Sequence, residues 1–161
     1  METVGLGFHF EDLPIGRQFK TIGRTITDAD ITNFINATGM VESMFTDLEF
    51  LKTDSDIKGR VSPGALVYTF AEGLLVQSTM QHTGFAFLNM ELDVKAPTFS
   101  GDTIYAWSKV IEKNKINEDI GALTMRTIAS KNNSNVSFPD EKNLTENIVL
   151  DLKYSVLIPK K

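Results

Sequence analysis

The sequence predicts an α+β fold, an antiparallel β-sheet wrapped around one long central helix. Three observations predict it. Residues 62–80, SPGALVYTFAEGLLVQSTM, have helical composition and are apolar almost all round, which marks a helix destined for burial. Four segments follow it: FAFLNMELDVKAP, DTIYAWSKVIEKN, GALTMRTIASKN and NIVLDLKYSVLIP. Each alternates or carries β-favouring residues, and turn residues separate them. One strand-like stretch and one capped helix precede the long helix, so helix and sheet can bury their apolar faces against each other.

Taken in order, Asp12–Gly16 is a loop containing Pro14, and Arg17–Ile26 has the length and Thr/Ile content of a strand. TDADITNFINATG then predicts a helix. Thr27 is its N-cap, Asp30 completes a variant capping box, and Gly39 stops it. Its apolar residues Ile31, Phe34 and Ile35 share one face. Residues 46–59 are polar and acidic, with room for one helical turn before Lys58-Gly59. Ser62 is placed to cap the long helix, and Pro63 suits its first position. The last two strands are joined by NNSNVSFPDEKNLTE, which reads as a mobile loop or extended hairpin tip. A sheet curled around one helix leaves an edge and an open flank, so the chain is expected to pair as a homodimer or a dimer-based higher oligomer.

Composition narrows the function classes. A chain of 161 residues suits a single domain, 1–161, with a sizeable core. The formal net charge of −5 argues against a nucleic-acid partner, which needs a basic face. The absence of Cys excludes disulfide and thiolate chemistry. The start, METVGLGFHFEDLP, has neither the basic residues nor the apolar run of a secretory signal. The most apolar stretch, Ala65–Val76, is broken by Glu72 and falls short of the ~20 residues of a membrane span. The expectation is a cytoplasmic protein without a membrane partner. His9 and His82, with no spaced carboxylate pair, make no metal site, and no Gly-rich phosphate loop is present. No cofactor is expected. His9 belongs to a loose terminus, and His82 suits the C-terminal end of the long helix.

Four passages carry a family resemblance: GRTITDADITNF, FINATGMVESMFTDLEF, GRVSPGALVYTFAEGLL and FLNMELDVKAPTFSGDTI. Together, from Phe10 to Val156, the chain resembles the MaoC-like branch of the hotdog fold, the (R)-specific enoyl-CoA hydratases and related acyl dehydratases. The resemblance implies an acyl-CoA thioester ligand and water addition to, or removal from, an acyl chain. In that family the hydratase loop reads Gly-Asp-x-Asn-Pro-(Leu/Ile)-His-x-Asp. Gly39 matches its Gly and Asp47 its last acid, but Met40 stands at the catalytic Asp, Glu42 at the Asn, Ser43 at the Pro and Phe45 at the catalytic His. Met and Phe neither accept nor give a proton at neutral pH, so the usual acid–base pair cannot run from these positions.

The remaining candidates are Gly64, Glu72 and Glu42. The resemblance implies a backbone N–H near the start of the long helix, at Gly64, as the thioester-oxygen donor. A helix N-terminus offers free N–H groups where an oxyanion develops, although Pro-Gly also simply starts a helix. Glu72 is a carboxylate in an apolar helix, with Tyr68 and Thr69 on its face. It is read either as a catalytic acid or as a structural one satisfied by those neighbours. The PaaI-like hotdog thioesterases carry an acid eight residues after a helix-start Gly, and Gly64 and Glu72 are eight apart. Eight helical residues span ~12 Å, so Glu72 serves a thioester at Gly64 only from another subunit. Glu42 is either a second candidate acid or a solvated loop charge. Met40, Met44 and Phe45 either fill the former water site or line an acyl pocket. Three functions follow: a hydratase or dehydratase, a hotdog thioesterase using Glu72, or a non-catalytic acyl-CoA-binding or structural subunit beside a paralogous hydratase.

Overall fold

The computed structural model describes residues 1–161 except Val136, Glu141 and Lys142. Its sheet has six strands: β1 (Gln18–Lys20), β2 (Arg24–Thr25), β3 (Ala86–Val94), β4 (Thr103–Lys115), β5 (Ile120–Lys131) and β6 (Ile148–Pro159). The order is β1-β4-β5-β6-β3, with β2 also paired to β4, and every pairing is antiparallel. Helices α1 (Asp28–Thr38), α2 (Ser43–Thr46), α3 (Leu48–Thr53) and α4 (Gly64–Thr79) precede β3. α4 packs its Leu66, Val67, Phe70, Ala71 and Leu75 against Ile104, Ala106, Ala129 and Leu150 of the sheet. The sheet therefore wraps the long helix as the sequence predicts.

Local signals explain most element boundaries. Thr27 accepts from the Asp30 N–H at 3.1 Å, and Asp30 accepts from the Thr27 N–H at 2.8 Å, so the capping box forms. Gly39 adopts φ 73°, the left-handed region that favours glycine, and ends α1. The predicted strand 17–26 is instead two short strands, broken at 21–23, where the backbone of Gly23 lies against the Tyr105 ring. Residues 46–59 hold more helix than one turn, because Glu42 caps α2 and Asp47 caps α3 in succession.

Two further expectations are corrected. The N-terminus is tied down rather than loose. Gly7 and Phe8 donate to the carbonyls of Gln81 and Thr79, Phe10 is buried over Gly121, and a 3-10 turn spans Phe10–Asp12. His9 belongs to that turn, its N–H donating to Asp12 at 3.0 Å. The connection 132–147 does not stand out as a free tip. Its Phe138 and Leu144 pack on Trp107, Ile128 and Ile148 of the outer sheet face. Arg126, bidentate to Asp151 at 2.7 and 3.0 Å, donates to the Pro139 carbonyl and sits 5.4 Å from the Phe138 ring. A paired, nearly buried guanidinium thus fastens the strap. Val136, Glu141 and Lys142 of that connection lie outside the described residues.

Two surfaces stay open. β3 pairs only with β6, and Phe87, Leu88, Met90 and Val94 along it are 39–59% exposed. One flank of α4 presents Ala65, Thr69, Gly73 and Val76 to solvent, so the helix is not buried all round. A long apolar edge strand of this kind is ordinarily covered. Among the described residues, no helix is long and apolar enough to cross a membrane.

Candidate active site

The site is built from α1–α2 and from α4. The loop that would hold a hydratase pair runs from Gly39 into α2. Phe45 is buried there, against the core that α4 shares with Ile31 and Ile35, and Met44 packs on the same core. Met40 faces outward at 37% exposure. The two side chains at the family's acid–base positions therefore diverge, one into the interior and one toward solvent. Glu42 is exposed and its carboxylate accepts from the Met44 N–H at 2.7 Å. That bond makes it a helix cap, which is the bland reading of its charge. Asp47 likewise accepts from the N–H groups of Glu49 and Phe50 at 2.9 and 3.0 Å, which makes it the cap of α3.

Arg60 holds this loop and was not singled out in the sequence. Its guanidinium donates to the Phe45 carbonyl and to Thr32 at 3.2 Å, and lies 3.7 Å from Asp28. One side chain thus links α1 to the end of α2. Its partners lie 15, 28 and 32 residues away in the chain, so no local spacing pointed to it.

α4 begins without a side-chain cap. Pro63 occupies the cap position, and Ser62 turns its hydroxyl toward the Pro63 carbonyl at 3.3 Å instead of accepting an N–H. The expected Ser62 cap is absent for that reason. Leu66 and Val67 donate to Pro63. The N–H groups of Gly64 and Ala65 sit in the first turn, where a helix supplies no acceptor of its own. Gly64 is half-buried beside Val94, the end of the open β3 edge.

Further along α4, Tyr68 and Glu72 form the border between its buried and open faces, and both are half-buried. Tyr68 is one turn before Glu72. Burial, then the Glu72 charge and a side-chain hydrogen bond with it, push the Tyr68 phenol up to about 12. It is therefore a neutral phenol beside the carboxylate. Thr69 takes no part: it is exposed and returns its hydroxyl to the Leu66 carbonyl at 2.9 Å. No Lys or Arg is bonded to Glu72 either among the described contacts.

Glu72 and Tyr68 stand over a narrow cavity of about 30 Å³ between α4 and the sheet, walled by Ala71, Leu75, Leu152 and Phe87. Thr127 and Tyr154 also line it, yet its surface is almost wholly apolar, and the Thr127 hydroxyl is shared in a hydrogen bond with Ser108. Burial raises the Tyr154 phenol, while hydrogen bonds with Thr127 and Ser108 pull against that rise. The same Glu72 also borders an open apolar groove of about 200 Å³ toward Val76, Met80 and Phe85. The combination is a narrow apolar cleft that adjoins an open apolar groove, with one carboxylate bordering both. Among the described residues, no cluster of three His, Cys, Asp or Glu could hold a metal. His82 is exposed at φ 62°, just after the Met80 that caps α4.

Comparison with known proteins bears on this arrangement. No family model matches the chain. The chain is 36% identical over 107 residues, 63% of its length, to a β-methylmalyl-CoA dehydratase of Chloroflexus aurantiacus. It is 31% identical over 90 residues, 51% of its length, to a mesaconyl-CoA hydratase of Cereibacter sphaeroides. It spans only 30% and 26% of those two relatives. Among solved structures, a MaoC domain protein of Chloroflexus aurantiacus superimposes with a TM-score of 0.84 at 26% identity, over 98% of this chain and 46% of that one. An R-hydratase of Pseudomonas aeruginosa gives 0.74 at 16%, over 96% and 88% of the two chains. A Mycobacterium tuberculosis protein with a double hotdog fold gives 0.78 at 21%, over 99% of this chain and 46% of that one. The sheet around α4 is the hotdog fold, and the chain is similar to MaoC-like dehydratases and to hydratases of acyl-CoA over part of their length.

Proposed function

We propose that residues 1–161 form a single MaoC-like hotdog domain that acts on a CoA thioester by adding or removing water, without the usual Asp/His pair. The observation that carries this reading is the position of Glu72, half-buried at the border of an apolar cleft and beside Tyr68. The names of both curated relatives, a dehydratase and a hydratase of acyl-CoA, support the reaction class.

The chemistry follows from the residues. Water adds across the double bond of an enoyl thioester, its oxygen bonding to the β-carbon. Glu72 takes the water proton and then gives it to the α-carbon, which restores the carboxylate. Negative charge gathers on the thioester oxygen as the β-carbon is attacked, and the uncapped N–H groups at Gly64 and Ala65 face that charge with the positive end of a 16-residue helix. Because Gly64 and Glu72 of one chain are ~12 Å apart along the helix, Glu72 comes from a second copy. The open β3 edge and the bare α4 flank are the surfaces such a copy would cover. The match to about half of a double-hotdog chain supports a paired assembly.

Two other readings have specific support. The Gly64–Glu72 spacing and the carboxylate favour a thioesterase, in which Glu72 activates water against the thioester carbonyl and the CoA thiol leaves with the proton. The core position of Phe45 and the outward Met40 favour a non-catalytic acyl-CoA-binding subunit beside an active paralogue. Incubation with crotonyl-CoA separates them. Loss of enoyl absorbance supports hydration, free thiol supports the esterase, and a raised melting temperature without turnover supports the binding subunit. Failure of all three removes the acyl-CoA reading.

A further inference from the structure

We propose that Glu72 sets acyl selectivity as a charge filter: the cleft beneath α4 accepts short neutral acyl groups and rejects those ending in a carboxylate. The inference rests on the acyl-CoA reading above. It departs from the two curated relatives, whose names specify acyl groups that carry a second, free carboxylate.

Charge is segregated between the two faces of the sheet. On β5 and β6 the cations Arg126 and Lys153, with Asp151, point to the outer face. There they share a separate, polar cavity with Glu91, Asp93 and Lys95. The alternation of strand side chains puts their neighbours Thr127, Leu152 and Tyr154 on the inner face, in the cleft. Within one copy, the lining of the cleft and of the adjoining groove therefore contains no Lys, Arg or His among the described residues, and its only carboxylate is Glu72. The remaining ionisable groups there are Tyr68 and Tyr154, both neutral phenols held protonated by burial.

A carboxylate entering this cleft would meet three costs together. It loses water among Ala71, Leu75 and Leu152. It approaches the Glu72 charge where the dielectric is below that of bulk water. Within one copy it finds no cation in the lining, and the Thr127 hydroxyl is already shared with Ser108. The Tyr68 hydroxyl faces Glu72. A terminal methyl meets none of these costs. The cavity of about 30 Å³ holds only a methyl-sized group before the walls must move, which favours short chains. Specificity of this kind works by rejecting the wrong ligand rather than by gripping the right one.

The test compares valeryl-CoA with glutaryl-CoA, which have the same number of acyl carbons but end in a methyl and a carboxylate. Both are saturated, so neither can be hydrated. Dissociation constants measured by calorimetry on the full chain report binding alone, with free CoA as the reference. The expected result is valeryl-CoA binding at least tenfold tighter than glutaryl-CoA. Glu72→Gln should cut that ratio at least fivefold, mainly by improving glutaryl-CoA. Glu72→Asp, which keeps the charge, should retain the ratio, and the melting curve of each variant reports folding. Equal binding of the two esters, or a ratio unchanged by Glu72→Gln, overturns the filter and leaves the acyl-CoA reading standing. Two esters that bind no better than free CoA overturn both.

Discussion

The Gly39–Asp47 loop and the Tyr68–Glu72 turn of α4 are the two places where this chain could meet a substrate, and they are built oppositely. The loop is internally satisfied. Phe45 is in the core, Glu42 and Asp47 are spent as helix caps, and Arg60 closes the span by bonding the Phe45 carbonyl. The α4 turn is half-open. Its carboxylate has one neutral hydroxyl partner and borders both an enclosed cleft and an open groove. A segment whose polar groups are all used for folding holds shape. A carboxylate with capacity left over, at the edge of an apolar cleft, has the features of a functional group.

That contrast can be broken by substitution, beginning with the largest effect. Glu72→Gln should lower turnover of crotonyl-CoA by about 10³-fold, within the usual range for loss of an acid–base group, with an unchanged melting temperature. Phe45→Ala should do the reverse. It removes a core aromatic and should cost about 3 kcal/mol of stability by urea denaturation, while the folded fraction keeps its affinity for acyl-CoA. Arg60→Met should destabilise by about 2 kcal/mol, because the Phe45 carbonyl loses its charged donor. Gly64→Ala places a Cβ 3.3 Å from a Val94 methyl, a contact that the Val94 side chain can yield to. Fold should survive it, and acyl-CoA affinity should fall about tenfold, because the added methyl crowds the approach of the thioester to the Gly64 N–H, which Ala retains. Met40→Ala should change turnover by less than about threefold, since an outward thioether on the loop contributes no proton-transfer group.

Much of this was legible in the sequence, and the exceptions share a cause. Thr27, Asp30 and Gly39 declare α1 because caps act within a few residues, and the four long strands show their β character in their own composition. Tyr68 was legible as the partner of Glu72 because both lie on one helix, one turn apart. Thr69 misled, since a threonine in a helix can return its hydroxyl to the preceding turn, as it does to Leu66. Ser62 misled in the same way by bonding at Pro63. Arg60, the Arg126–Asp151 pair and the folding-back of the 132–147 strap depend on contacts between distant segments, which leave no periodic trace. The half-exposed setting of Glu72 was also hidden. An apolar helix predicts burial all round, but one flank of α4 is open because none of the described elements covers it.

The most direct test of the central claim is a crystal structure of the protein with valeryl-CoA bound. The account predicts the thioester oxygen within hydrogen-bond reach of the Gly64 N–H, with the acyl chain running past Glu72 of a second copy into the cleft beneath that copy's α4. An acyl chain seated instead against Met40 and Phe45, with Glu72 bonded only to Tyr68 and away from the ligand, would contradict it.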